Sequence, residues 1–254
     1  MRYFKGCIAL NAEHDLPMLE QVLHSGFVTH QQLWKFMRQG GYERQRECFN
    51  WRAKRLVDHG FLTRQMLSGV TRSFVYSLTE QGADELIGLD QSCPGATAFF
   101  NRKHDHGGIR HAVELNEIHL VLAASGRLGR WTSDIELRSR NEFTACGYAK
   151  DYDALIDLKF DGVEVQVALE YEREAKSQSR YADIVSAIAN EQHVDRFLYL
   201  VPDYDLLFFV HRFFAGMTRR VYFGIACEFK RQLLQMRVLD RKLAHTSLDE
   251  ALRV

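Results

Sequence analysis

The sequence predicts an α+β protein in two parts, on three observations. Apolar residues at helical spacing, followed by a Gly-containing hairpin pattern, fill the first 88 positions. Proline and glycine punctuation interrupts residues 89–108. After Arg130 strand-like and helix-like patterns alternate, which is the signature of an α/β layer. The expected organisation is a domain over 1–88, a linker over 89–108 and a second domain over 109–254.

Residues 14–25 and 30–39 read as short helices, the second entered through Thr29 as N-cap and ended by Gly40-Gly41. Leu33, Trp34, Phe36 and Met37 mark its inward side. A third helix over 43–59 carries Phe49, Ala53, Leu56 and Val57 as its apolar stripe. Its other faces hold Arg44, Arg46, Arg52, Lys54 and Arg55, and Trp51 is expected to pack. Two strands around a turn at Gly69 follow, with Arg64 and Arg72 on them, and Thr79 caps a further helix. Residues 109–125 then form a helix leading into the second domain.

In that second domain, residues 131–138 and 152–159 read as strands. Phe160-Asp-Gly162 is a hairpin turn into a strand over 163–172. A helix over 176–190 carries Tyr181, Ile184, Val185 and Ile188 inward, and 196–201 is a short apolar strand. Residues 208–219 read as a helix, 221–226 as a strand and 231–243 as a terminal helix.

Composition narrows the function. The chain has 254 residues, 46% of them hydrophobic, with five scattered cysteines and no CxxC pair, which excludes a disulfide scaffold or a zinc cluster. His104, Asp105, His106 and His111 are read as solvated linker residues or contacts to the DNA backbone rather than a metal cluster, since no matching cysteine or carboxylate motif accompanies them. No apolar run approaches a membrane span and no signal peptide is recognisable, so a cytoplasmic location is expected. Net charge is zero, yet residues 30–73 hold nine Lys or Arg against three acids, a local basic footprint suited to double-stranded DNA.

The chemistry-bearing segment is Val163-Glu-Val-Gln-Val-Ala-Leu-Glu170-Tyr-Glu172. Glu170 and Glu172 stand two apart and share one face of a strand. Asp153 on the neighbouring strand can converge on them, making an oxygen-rich pocket for Mg²⁺ or Mn²⁺. The competing reading of residues 170–176 is a solvated ion-pair network, with Glu172 and Lys176 as a local salt bridge.

The phrases Arg55-Leu-Val-Asp-His-Gly-Phe-Leu62 and Val75-Tyr-Ser-Leu-Thr-Glu-Gln-Gly82 resemble the end of the recognition helix and the exit from the wing in a winged helix-turn-helix. That resemblance implies DNA contacts from Arg44, Arg46, Arg52, Lys54, Arg55, Arg64 and Arg72. The C-terminal order is similar to the restriction-endonuclease-like PD-(D/E)XK core, with Tyr152-Asp153 for Pro-Asp and Glu170-Tyr-Glu172 for (D/E)XK. The motif lysine is replaced by Glu172, and Lys176 is the nearest substitute; Glu136 could add a carboxylate.

Together with Ile109-Arg-His-Ala-Val-Glu-Leu-Asn116 and Trp131-Thr-Ser-Asp-Ile-Glu-Leu137, the whole chain resembles the replication-relaxation family of plasmids and other mobile elements. The resemblance implies plasmid mobilisation in conjugation. Asp153, Glu170 and Glu172 would be the metal ligands, and Lys176 would be the fourth catalytic residue. Two readings stay open: a metal-dependent DNA nickase or relaxase, and a transcription regulator whose inactive nuclease-like domain dimerises or senses. Leu206 to Phe214 is read first as core and second as a homodimer surface. Tyr181 is read as core rather than as a covalent nucleophile.

Overall fold

The structure is a computed structural model that describes residues 8–66, 74–89, 106–144 and 147–253. The chain divides into two compact units, Met1–Asn116 and Glu117–Val254. Among the described residues no helix is long and apolar enough to cross a membrane.

The first unit runs α1 (Asp15–Ser25), β1 (Val28–Thr29), α2 (His30–Gln39), α3 (Arg46–Asp58), β2 (Leu62–Met66), β3 (Phe74–Leu78) and α4 (Glu80–Leu89). The start of α5 (His106–Ala124) also belongs to it. Its antiparallel sheet has the order β1-β3-β2. Thr29 opens α2 through a capping box: its hydroxyl accepts from the Gln32 N–H at 3.2 Å and its own N–H donates to Gln32 Oε1 at 3.1 Å. Leu33, Phe36 and Met37 of α2 and Phe49, Ala53 and Leu56 of α3 are buried as the apolar stripes predict, whereas Trp34 and Val57 are half-buried. Gly82 lets α4 approach the chain closely, because a Cβ there would stand 2.3 Å from the Phe61 carbonyl oxygen. Residues 109–116, expected in the second domain, pack with the first: Ile109 joins Phe27 and Val75, and Asn116 Nδ2 donates to the Phe27 carbonyl at 2.8 Å.

The second unit contains β4 (Leu128–Ser133), α6 (Asp134–Phe143), β5 (Ala154–Phe160), β6 (Val163–Tyr171), α7 (Gln178–Asn190) and β7 (Arg196–Val201). It continues with α8 (Tyr204–His211), β8 (Arg220–Ile225), α9 (Ala226–Gln232), β9 (Arg237–Asp240), β10 (His245–Ser247) and α10 (Leu248–Arg253). A mixed seven-stranded sheet has the order β10-β9-β8-β7-β6-β5-β4, so the protein is α+β. β6–β7 and β7–β8 are parallel and the other pairs antiparallel. Parallel strands need crossovers, which α7 and α8 supply. Asp161 (φ 42°) and Gly162 (φ 90°) make the tight β5–β6 turn that Asp-Gly favours. Leu155, Ala168, Phe197, Tyr199, Val221 and Phe223 line one sheet face, and Tyr181, Ile184 and Ile188 of α7 cover it with Leu207 and Val210 of α8.

Three expected elements differ. The strand read over 131–138 stops at Ser133, because Ser133 and Glu136 form a capping box (3.4 and 3.1 Å) that starts α6. Glu136 therefore caps a helix and pairs with Arg130 at 3.4 Å instead of adding a strand carboxylate. The helix read over 208–219 is shorter and starts earlier: Asp203 caps α8 by accepting from the Leu206 N–H at 2.9 Å, and a 3₁₀ turn, Arg212–Phe214, follows. The terminal helix read over 231–243 breaks at Leu233, whose φ is 50°, and Arg237–Asp240 pairs with β8 instead. Val238 and Leu239 are buried there, so sheet pairing overrides a short helical pattern.

Candidate functional site

The acidic residues of the second unit meet at the carboxyl end of β6. Alternation places Ala168, Glu170 and Glu172 on the face covered by α7 and α8, and the Glu172 N–H extends the ladder to the Leu200 carbonyl at 2.9 Å. Ala154 pairs with Leu169, so Asp153, one residue earlier, falls beside Glu170. Its Oδ2 accepts from the Tyr171 N–H at 2.7 Å. Glu170 and Glu172 are only 6% and 5% exposed.

Two ammonium groups reach these acids. Lys150 Nζ bonds Glu170 Oε1 and stands 4.9 Å over the Tyr152 ring. Lys176 Nζ bonds Glu172 Oε2 from the segment ahead of α7, not from the helix itself, because Ser177 is the N-cap. The Lys176 N–H donates to the Tyr181 hydroxyl at 3.2 Å, which anchors that segment. Tyr181 is wholly buried and stacked on Phe213 at 4.6 Å, as a core residue. The Lys150–Asp153 stretch is held by a different acid. Fully buried Glu191 accepts from the Ala149 N–H (2.9 Å), the Tyr152 hydroxyl (2.8 Å) and the N–H groups of Gln192 and His193 (both 2.8 Å).

Burial is the chief influence on the acids. It pushes the Glu170 carboxyl up to about 7, with Asp153 adding to the rise and Lys150 and Lys176 opposing it. It also raises Glu172, against the pull of Lys176. Glu191 goes the other way, since the donors around it outweigh its burial. The Tyr199 phenol on β7, in register with Glu170, is pushed far up by burial and then by Glu170, Glu172 and Asp153. Its hydroxyl has no hydrogen-bond partner among the described residues.

Asp153, Glu170, Glu172 and Lys176, all singled out by the sequence, thus share one site. As placed, the two glutamates are held by lysines and Asp153 by a backbone N–H. Among the described residues no three His, Cys, Asp or Glu side chains stand as a ready metal cage. Sequence reasoning passed over Lys150, whose signal is its place three residues before Asp153, and Tyr199, which looks like any aromatic in an apolar strand.

In the first unit the basic residues divide. Arg52 Nη1 bonds Asp15 Oδ1 at 2.8 Å, Arg52 Nε bonds Glu43 Oε1 at 2.6 Å, and Arg55 bonds Asp15 Oδ2. These two guanidinium groups tie α3 to α1 and are mostly buried. Lys54 is exposed and paired with Asp58, and Glu47 and Trp51 share its side of the helix; Trp51 is 53% exposed, with the Arg55 guanidinium 4.9 Å over its ring. Arg44 is exposed ahead of α3. Arg46 lies over Trp34 (5.2 Å) and Phe49 (5.4 Å), and Arg64 lies over Phe74 (4.5 Å). His30 bonds the Tyr76 hydroxyl (2.8 Å) and Asn50 Oδ1 (3.0 Å). Its imidazole is pushed down by burial and then by Arg46 and Arg64. Arg72 lies outside the described residues, as do the Gly69 turn and most of the 89–108 segment.

No family model matches the chain, and no curated protein matches it. Among solved structures it is similar to restriction endonuclease FokI bound to DNA, at 12% identity and a TM-score of 0.29. The match covers 94% of this chain and 46% of that one, so the chain spans about half the length of that structure. A likeness this slight assigns neither fold nor activity.

Proposed function

We propose that this chain is a DNA-binding protein of a bacterial mobile element that nicks DNA with a divalent metal ion, as a relaxase does. In this reading the first unit is a winged helix-turn-helix and the second a PD-(D/E)XK-like domain. The observation that carries the reading is the meeting of Asp153, Glu170 and Glu172 with Lys150 and Lys176 beside the carboxyl ends of parallel β6 and β7. Open α/β sheets bind ligands at that end of their strands.

Mg²⁺ or Mn²⁺ fits the donor chemistry, because such ions take carboxylate oxygens and would neutralise a glutamate whose charge burial makes costly. Asp153 and Glu170 would hold the ion and Glu172 would supply a third oxygen. Bound there, it supplies Lewis-acid polarisation of a phosphate. With the ion held by Glu170, Lys150 and Lys176 would neutralise charge on the phosphate. Lys176 orients the attacking water and Glu172 takes its proton. The water oxygen bonds to phosphorus, one P–O ester bond breaks, and the departing oxygen takes a proton from solvent.

For duplex DNA the best-placed contacts are Arg44, Arg46 and Arg64, with Lys54 and Arg72 beside them in sequence, because Arg52 and Arg55 serve the fold. The Arg46→Glu, Arg64→Glu double variant is expected to bind duplex DNA at least about tenfold more weakly. The slope of log affinity against log salt should flatten by about two, roughly one per lost phosphate contact. Fluorescence anisotropy across a KCl series reads both; unchanged affinity and slope would remove DNA from the role of the first unit. A second reading, a regulator with an inactive nuclease-like domain, is favoured by one observation: both glutamates already have ammonium partners. It calls for DNA retardation without nicking.

A further inference from the structure

His30 opens α2, and its ring ties that helix to α3 and β3. The ring packs on Phe49 (5.0 Å) and Tyr76 (5.8 Å). Its Nδ1 bonds the Tyr76 hydroxyl at 2.8 Å and its Nε2 bonds Asn50 Oδ1 at 3.0 Å. Burial and the charges of Arg46 and Arg64 hold the imidazole below its ordinary value, so it is neutral at neutral pH. A neutral imidazole donates from one nitrogen and accepts at the other. An amide oxygen only accepts, so Nε2 carries the hydrogen, and Nδ1 accepts from the Tyr76 hydroxyl. This relay fixes the Asn50 amide. Asn50 is exposed, and with Oδ1 turned to His30 it offers Nδ2 to a ligand. Arg46 and Lys54 stand one turn to either side of it, at the i, i+4 spacing that shares a helix face.

We propose that Asn50 reads one base pair in the major groove, donating from Nδ2 to guanine, and that His30 sets its direction. The inference rests on the reading of α3 as the helix that enters duplex DNA. Guanine offers two acceptors in that groove, N7 and O6. Adenine couples one acceptor with an N6 donor, thymine offers O4 beside a methyl group, and cytosine offers an N4 donor. The bidentate asparagine–adenine pair also needs the amide oxygen, which His30 engages. The cation Arg46 suits phosphate, which carries no sequence information, and the neutral amide one turn on suits a base edge.

The test selects bound sequences from a random duplex library with the wild-type full chain, Asn50→Asp and His30→Phe. The wild type is expected to favour guanine over cytosine by about tenfold at one position, the scale of one mismatched pair. The carboxylate of Asn50→Asp only accepts, so preference at that position is expected to turn to cytosine while the other positions hold. This variant keeps an acceptor for His30 at an exposed position, so the fold is not at stake. His30→Phe frees the amide oxygen, and adenine is expected to rise to at least the level of guanine there. Guanine preference retained in Asn50→Asp, or a wild type that binds all duplexes alike, overturns the inference and leaves DNA binding standing. Guanine preference retained in His30→Phe overturns the orienting role of His30, and so does an unfolded His30→Phe, which makes that ring structural. Absence of duplex binding by the wild type overturns the DNA-binding reading and this inference together.

Discussion

Asp15→Ala is expected to lower the stability of the first unit by about 3–5 kcal/mol, the cost of stranding buried charges by removing their partner. Asp15 is fully buried at the start of α1, where its carboxylate accepts from the Asn11 N–H at 2.7 Å, from Arg52 at 2.8 Å and from Arg55. Without it Arg52 keeps only Glu43 among these acids, and Arg55, whose Nε already has no partner among the described residues, loses its carboxylate. Burial alone would raise the Asp15 carboxyl, but Asn11, Arg52 and Arg55 together hold it below its ordinary value. A lowered carboxyl contributes stability that is present above the unfolded-chain value and is lost as pH falls toward the folded one. Urea denaturation at pH 7, followed through Trp34 and Trp51 fluorescence, reads the first effect. An acid titration reads the second: wild type should lose stability below about pH 4, the ordinary carboxylate range, more steeply than the variant. Equal urea midpoints would mean that the Asp15 network does not hold α1 to α3.

Glu170 has the opposite sign and a second large effect. Its carboxyl is pushed up to about 7, so below that pH it must release a proton before it can hold a cation. Mn²⁺ affinity is therefore expected to rise about tenfold per pH unit between roughly pH 5 and 7, then level off. For the metal-free protein, the unfolded chain ionises this group first, so stability should fall as pH rises from the ordinary carboxylate range through about 7. Glu170→Gln should flatten both dependences. Calorimetric titration of Mn²⁺ at four pH values, with unfolding curves at the same values, checks them. A pH-independent wild-type affinity, or one shared by Glu170→Gln, would remove Glu170 from the metal site.

The parts legible in the sequence were those with local causes. The Asp161-Gly162 turn, the apolar strand Arg196–Val201 and the stripes of α2, α3 and α7 are set by residues a few positions apart. The same holds for the i, i+2 placement of Glu170 and Glu172 on one strand face. The misread elements had competing local signals: Ser133 with Glu136 ended a strand that alternation had extended, and β9 drew its hydrogen bonds from β8. Charge was the hardest to read. Arg52 and Arg55 count toward a basic block, yet their acid lies 37 and 40 positions away, and only folding brings them together. Lys150 and Tyr199 were hidden for the same reason, since neither is near Glu170 in sequence and both meet it through strand pairing and the Glu191 clasp.

The most direct measurement is relaxation of supercoiled DNA from the chain's own genetic neighbourhood, with Mn²⁺, by the wild-type protein beside Glu170→Ala. The expected result is open-circular product from the wild type and none from the variant. Intact supercoiled DNA with both proteins, or equal nicking by both, would contradict a metal-dependent site built on Glu170.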